Sequence, residues 1–200
     1  MSAWDDEPSQ DAFVASGLYC LIRRTPEGAW AGYAGVQKEH ALWRQPRDVL
    51  ISLPESFAAR VPDLRRIAAV DIATVPAELV AGMTVPLSIA IDVHGGLYFT
   101  GMLPSLDEPY WYFGFSCTHP WDYKPNDPLA RSARETMGPE QHEALFRTAA
   151  DYRTVEYARS ETERLAAQIA AFSGVTVAGQ PERRATAFSV PPARSDGLRV

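Results

Sequence analysis

Near the C-terminal end of the chain, Val155, Ala158, Thr162, Leu165, Ile169 and Phe172 recur at intervals of 3, 4, 3, 4 and 3. That spacing puts all six on one side of a 3.6-residue helix. Arg159 and Glu163, an i,i+4 pair, fall on its polar flank. A helix with a single narrow apolar stripe is stable only when the stripe is covered. Strand-forming runs upstream offer the surface, so the expected fold is α+β, a mainly antiparallel sheet packed by a long C-terminal helical segment over 140–173. A homodimer seam through the same helix is the other way to cover the stripe.

The upstream runs are readable one by one. "GLYCLIRR" (17–24) and "AWAGYAGVQ" (29–37) flank a Pro-Glu-Gly turn and predict a hairpin. Gly32, Ala34 and Gly35 weaken the second strand and point to close approach of another element. In 87–94, Leu87, Ile89, Ile91 and Val93 alternate with Ser88, Ala90, Asp92 and His94, which predicts a third strand. "YWYFGFSCTH" (110–119) predicts a fourth over 110–117, paired with the third around "LPSLDEP".

Five prolines punctuate 44–86, which reads as short helices and connections, one opening after Ser52 and one over "TVPAELVAGM". The boundaries expected are a loose acidic N-terminus over 1–15, one domain over 16–174 and a disordered tail over 175–200.

The charge pattern narrows the function classes. The net charge is −6, and Asp5, Asp6, Glu7 and Asp11 precede any Lys or Arg. Such a chain lacks the clustered cations that general nucleic-acid binding needs. The N-terminus has no apolar leader, and no apolar run reaches the ~20 residues of a membrane span. The expectation is a cytoplasmic protein with a protein or small-molecule partner, no membrane, and a monomeric or homodimeric state. Cys20 and Cys117, the two cysteines, read as free thiols there.

Chemistry-bearing residues concentrate in "DVHGG" and "GFSCTHPWDY". His94, Cys117, His119 and Asp122 are the candidate metal ligands, with Asp92 and His40 as additions. Zn²⁺ accepts thiolate, imidazole and carboxylate, and Asp122 suits either a ligand or a partner to an imidazole. The competing reading makes Cys117 a nucleophile and His94 its base. A third keeps Cys117 as core filling beside Trp111, Phe113 and Phe115, with which it shares strand parity.

These same segments resemble a family of uncharacterised proteins from phages, prophages and related bacterial genomes. The matching pieces are "GYAGVQKEHALW", "DVHGGLYFTG", "WYFGFSCTH" with Asp122, and "YRTVEYARSETERLAAQI". Ser116 stands where the family pattern commonly has Asp, and 44–88 reads as an insertion. The resemblance implies a mobile-element accessory protein, carries no established activity, and picks out His40, His94, Cys117 and His119. Two functions are therefore expected in competition. One is an accessory protein acting by binding, with a structural or metal-holding His/Cys cluster. The other is a small hydrolase or transferase using Cys117 or a metal-bound water.

Overall fold

The structure, a computed structural model, describes residues 4, 6–53, 84–103, 110–138, 141, 152–174 and 177. Strands β1 (Gln10–Ala15), β2 (Leu18–Arg24) and β3 (Trp30–Val36) are followed by β4 (Leu50–Ser52) and β5 (Thr84–Pro86). A single helical turn, α1 (Leu87–Ala90), leads to β6 (Phe99–Gly101) and β7 (Trp111–Ser116). Helices α2 (Pro128–Met137) and α3 (Val155–Ala171) follow among the described residues. The main sheet is antiparallel throughout, in the order β1-β2-β3-β7-β6, and β4 pairs with β5 separately. The α+β architecture anticipated from the stripe and the strand runs is the one observed.

Helix α3 lies across β3 and β2. Its stripe residues Ala158, Thr162, Leu165, Ile169 and Phe172 are fully buried, so the chain's own sheet covers the face that a dimer seam would have used. They meet Cys20, Ile22, Trp30, Ala34, Phe113, Phe115 and Cys117 in one core. Strand register aligns these sheet residues: Gly32 opposes Phe115, and Ala34 opposes both Phe113 and Cys20. A Cβ on Gly32 would stand 2.1 Å from Thr162 Oγ1, so the missing side chain is what lets the helix seat. The opposite sheet face carries Leu21, Ala31, Tyr33 and Tyr112.

Three expectations need correction. Residues 10–15 are not loose: they form β1, joined to β2 through Ser16 and Gly17, both at positive φ. Two such residues give the twist that a tight hairpin needs. Glu7, just before it, accepts bonds from Arg24, Trp30 Nε1, the Tyr152 hydroxyl and the Val155 amide, tying this segment to the start of α3.

Residues 87–94 are not a strand. Leu87 and Ser88 donate backbone bonds to Val49 and Arg47, and Ile91 to Leu87, which closes one helical turn. The buried set Leu87, Ala90 and Ile91 has helical spacing, which the apparent alternation concealed. The hairpin partner of β7 is instead the short β6, with Phe99 opposite Gly114.

The helical segment expected over 140–173 is not continuous: residues 152–154 are non-helical, and Thr154 caps α3 by accepting from the Tyr157 amide, while 139–140 and 142–151 lie outside the described residues. Helix α2, unanticipated, opens with Pro128 behind an Asp127 cap bonded to the Leu129 amide. The helices expected over 54–83, the "LPSLDEP" loop at 104–109 and most of the expected tail lie outside the described residues. Within that tail, Val177 forms an isolated bridge to Ile51.

Candidate functional site

The site forms where β7 ends, above the N-terminal half of α3. His119-Pro120-Trp121-Asp122 make a turn closed by the Asp122 amide donating to the His119 carbonyl at 3.0 Å. Proline at the second position presets such a turn. The turn folds the Asp122 carboxylate back beneath His119. Oδ2 of Asp122 accepts from the His119 amide at 3.1 Å and from His119 Nδ1 at 3.1 Å.

His94 reaches the same oxygen from the other side. Its Nε2 lies 2.8 Å from Asp122 Oδ2, and its Nδ1 lies 2.9 Å from the Tyr157 hydroxyl. The segment carrying His94 is held by a polar stripe of α3. Gln168 accepts from the Asp92 amide and donates to the Asp92 carbonyl, both at 2.8 Å. Glu161 accepts from the His94 amide at 2.8 Å, and Arg164 bridges Glu161 and Asp92. Gly95, at φ 64°, sits directly under the His119 ring, where any Cβ would collide with it.

Three ligand atoms thus converge: one nitrogen each from His94 and His119 and one oxygen from Asp122, all within 4.8 Å of one another. Ligands on one Zn²⁺ stand roughly 3.3 Å apart at bonds of ~2.0–2.1 Å, so a small opening of the contacts admits an ion. This group could hold a metal ion. Among the described residues it is the only such group of His, Cys, Asp and Glu side chains.

The Asp122 side chain is 0% exposed, whereas His119 is 24% exposed and stacks on the exposed Trp121 at 4.7 Å. Burial pushes the Asp122 carboxyl up, but hydrogen bonds and charge from His94, and hydrogen bonds from His119, outweigh it and hold it below the usual range. Arg153 Nε completes the carboxylate by donating to Oδ1 at 3.2 Å, its guanidinium lying over the Tyr157 ring.

The other expected site residues fall elsewhere. Cys117 follows β7 into the core, 1% exposed, with its amide bonded to Trp30, and its sulfur is not part of the three-residue group. Burial, with the Asp122 charge adding, pushes its thiol up to about 12. It is therefore a shielded neutral thiol near pH 7, the opposite of an activated one. Cys20 is likewise free and buried.

Asp92 is taken by Arg164. His40 lines a separate cleft with Tyr110 and Ser173. Ser173 lies 12 residues beyond Glu161, roughly 18 Å along the helix. Ser116 bonds Thr118 on the sheet face away from the group.

Sequence reasoning missed Tyr157, Glu161, Arg164 and Gln168. Their spacing of 4, 3 and 4 is a second stripe, one residue ahead of the apolar one, and was the signal available. No family model, curated protein or solved structure matches this chain. Among the described residues no helix is long and apolar enough to cross a membrane.

Proposed function

We propose that this protein is a mobile-element accessory protein that acts by binding and holds a divalent transition metal, Zn²⁺ first, through His94, His119 and Asp122. The observation that carries the metal reading is the convergence of two imidazole nitrogens and a buried carboxylate oxygen within 4.8 Å. Mixed nitrogen and oxygen ligands suit Zn²⁺ better than the all-oxygen shells of Mg²⁺ or Ca²⁺. The mobile-element setting rests on the resemblance carried by "DVHGGLYFTG" and "WYFGFSCTH". Metal analysis of purified protein tests the reading. About one equivalent of metal in the wild type, lost in His119→Ala and Asp122→Ala, is expected; a metal-free wild type that takes up none on titration sinks it.

A second reading, a small metal-dependent hydrolase or transferase, is favoured by one feature. Three protein ligands, one of them His119 at a partly open edge, leave a coordination position free. A cation with such a position supplies an activated water. Ester hydrolysis that needs added Zn²⁺ and disappears in His119→Ala supports it; metal uptake without turnover of ester substrates leaves the binding role. The Cys117 version of this chemistry is disfavoured by the burial of the thiol and its high pKa.

A further inference from the structure

Within the metal reading just proposed, we infer that Tyr157 is the positioning residue of the site, a hydroxyl placed to serve His94 in both of the ring tautomers that the site requires. An ionised carboxylate only accepts hydrogen bonds. His94 Nε2, 2.8 Å from Asp122 Oδ2, must then carry a proton in the metal-free protein. A ring protonated at Nε2 alone has a bare Nδ1, and the Tyr157 hydroxyl 2.9 Å away is placed to donate to it.

Coordination reverses the pattern. Nε2 binds a cation only through its lone pair, so the single ring proton moves to Nδ1. The proton leaves Nε2 to water, Nδ1 takes one from water, and the ring stays neutral. Tyr157 must then accept where it had donated. A hydroxyl does both by rotating its own proton, with no heavy atom moving; a carbonyl or carboxylate serves only the second state and an amide N–H only the first.

Burial supports the assignment. His94 is itself buried, so a nitrogen left without Tyr157 has little water to turn to. The loss is heavier with metal bound, because the coordinated ring is the more polarised donor, and removing such a partner typically lowers metal affinity about 10- to 100-fold.

Long-range ¹H–¹⁵N correlation spectra of the His94 ring in the full chain, before and after one equivalent of Zn²⁺, test this together with zinc titration of Tyr157→Phe. The expected results are a proton on Nε2 without zinc and on Nδ1 with it. Tyr157→Phe should keep the wild-type melting profile within a few degrees while its zinc affinity falls at least tenfold. A ring proton that stays on Nε2 in the zinc complex overturns the inference, as does a Tyr157→Phe protein that binds zinc as tightly as wild type. No zinc uptake by the wild type removes the metal reading first, and the inference with it. That outcome is recognisable separately, because the metal-free tautomer is read without any ion.

Discussion

Gly95 lies against the ring of His119 so closely that a Cβ built on it would stand 1.8 Å from Cε1. The next residue, Gly96, has a similar backbone, φ 87°, yet nothing lies within 4 Å of its Cβ position. The pair separates backbone strain from site geometry. Alanine in the left-handed region costs about 1–2 kcal/mol at either position. At Gly95 it must also push the His119 ring off Asp122. Gly95→Ala is therefore expected to abolish metal uptake, whereas Gly96→Ala loses about 1–2 kcal/mol of stability and keeps the site. Denaturant melts and zinc titration of both variants check this.

The Gln168 amide grips the Asp92 backbone at both its N–H and its C=O. Gln168→Ala leaves both groups unpaired beneath α3, a loss of about 1–3 kcal/mol. Gln168→Glu keeps the acceptor and loses only the donor, so it should fall between. Since the same segment carries His94, both variants should weaken zinc binding in the same order. Chemical denaturation beside zinc titration reads out the two effects.

The seat of α3 on β3 depends on Gly32. Its replacement by Ala drives a Cβ into Thr162 Oγ1 and, at 2.5 Å, into the Phe115 ring. Overpacking of this kind costs about 1–3 kcal/mol or more. Adding Thr162→Ala should recover part of the loss, because it removes one of the two obstacles. Thermal melts of the single and double variants give the coupling, and strict additivity would contradict the contact.

Alkaline stability follows from the two buried thiols. Burial raises Cys20 to about 11 and Cys117 to about 12. Unfolded thiols ionise near 8.5. Below that range both states keep the proton and stability is unaffected. Above it the unfolded state releases protons that the folded state retains, so stability falls as pH rises from about 8.5 towards 11 and 12. The double variant with Ala at both positions should show a flatter alkaline limb, however stable it is at pH 7. Thiol-reagent labelling near neutral pH should likewise be slow in the native protein and prompt once it is unfolded.

Much of the fold was legible because single elements declare themselves. The stripe from Ala158 to Phe172 needed a sheet, and Phe113, Phe115 and Cys117 share the face that meets it. The glycine at position 32 signalled a close approach and Thr162 is what approaches. Residues 87–94 misled because Leu87 and Ile91 satisfy two periods at once, and Pro86 with the β4 pairing decides for a helical turn. Strand β1 was hidden because it opens on Gln10 and Asp11 behind an acidic stretch, leaving only four apolar residues to show a period.

At the site, His94, His119 and Asp122 were identifiable by residue type. The partners that fix them, Tyr157, Glu161 and Arg153, lie at least 31 residues away along the chain from the groups they hold, where no local pattern links them. Cys117 lies outside the three-residue group because two-residue spacing from His119 brings the two side chains together only on a strand that continues, and the chain instead turns at Pro120.

Zinc-edge X-ray absorption of the one-to-one complex distinguishes a cation site formed by His94, His119 and Asp122 from one that includes Cys117. The proposed site should give a first shell of nitrogen and oxygen at ~2.0–2.1 Å with the outer-shell pattern of two imidazoles. A sulfur contribution near ~2.3 Å, or a spectrum showing fewer than two imidazoles, would contradict it.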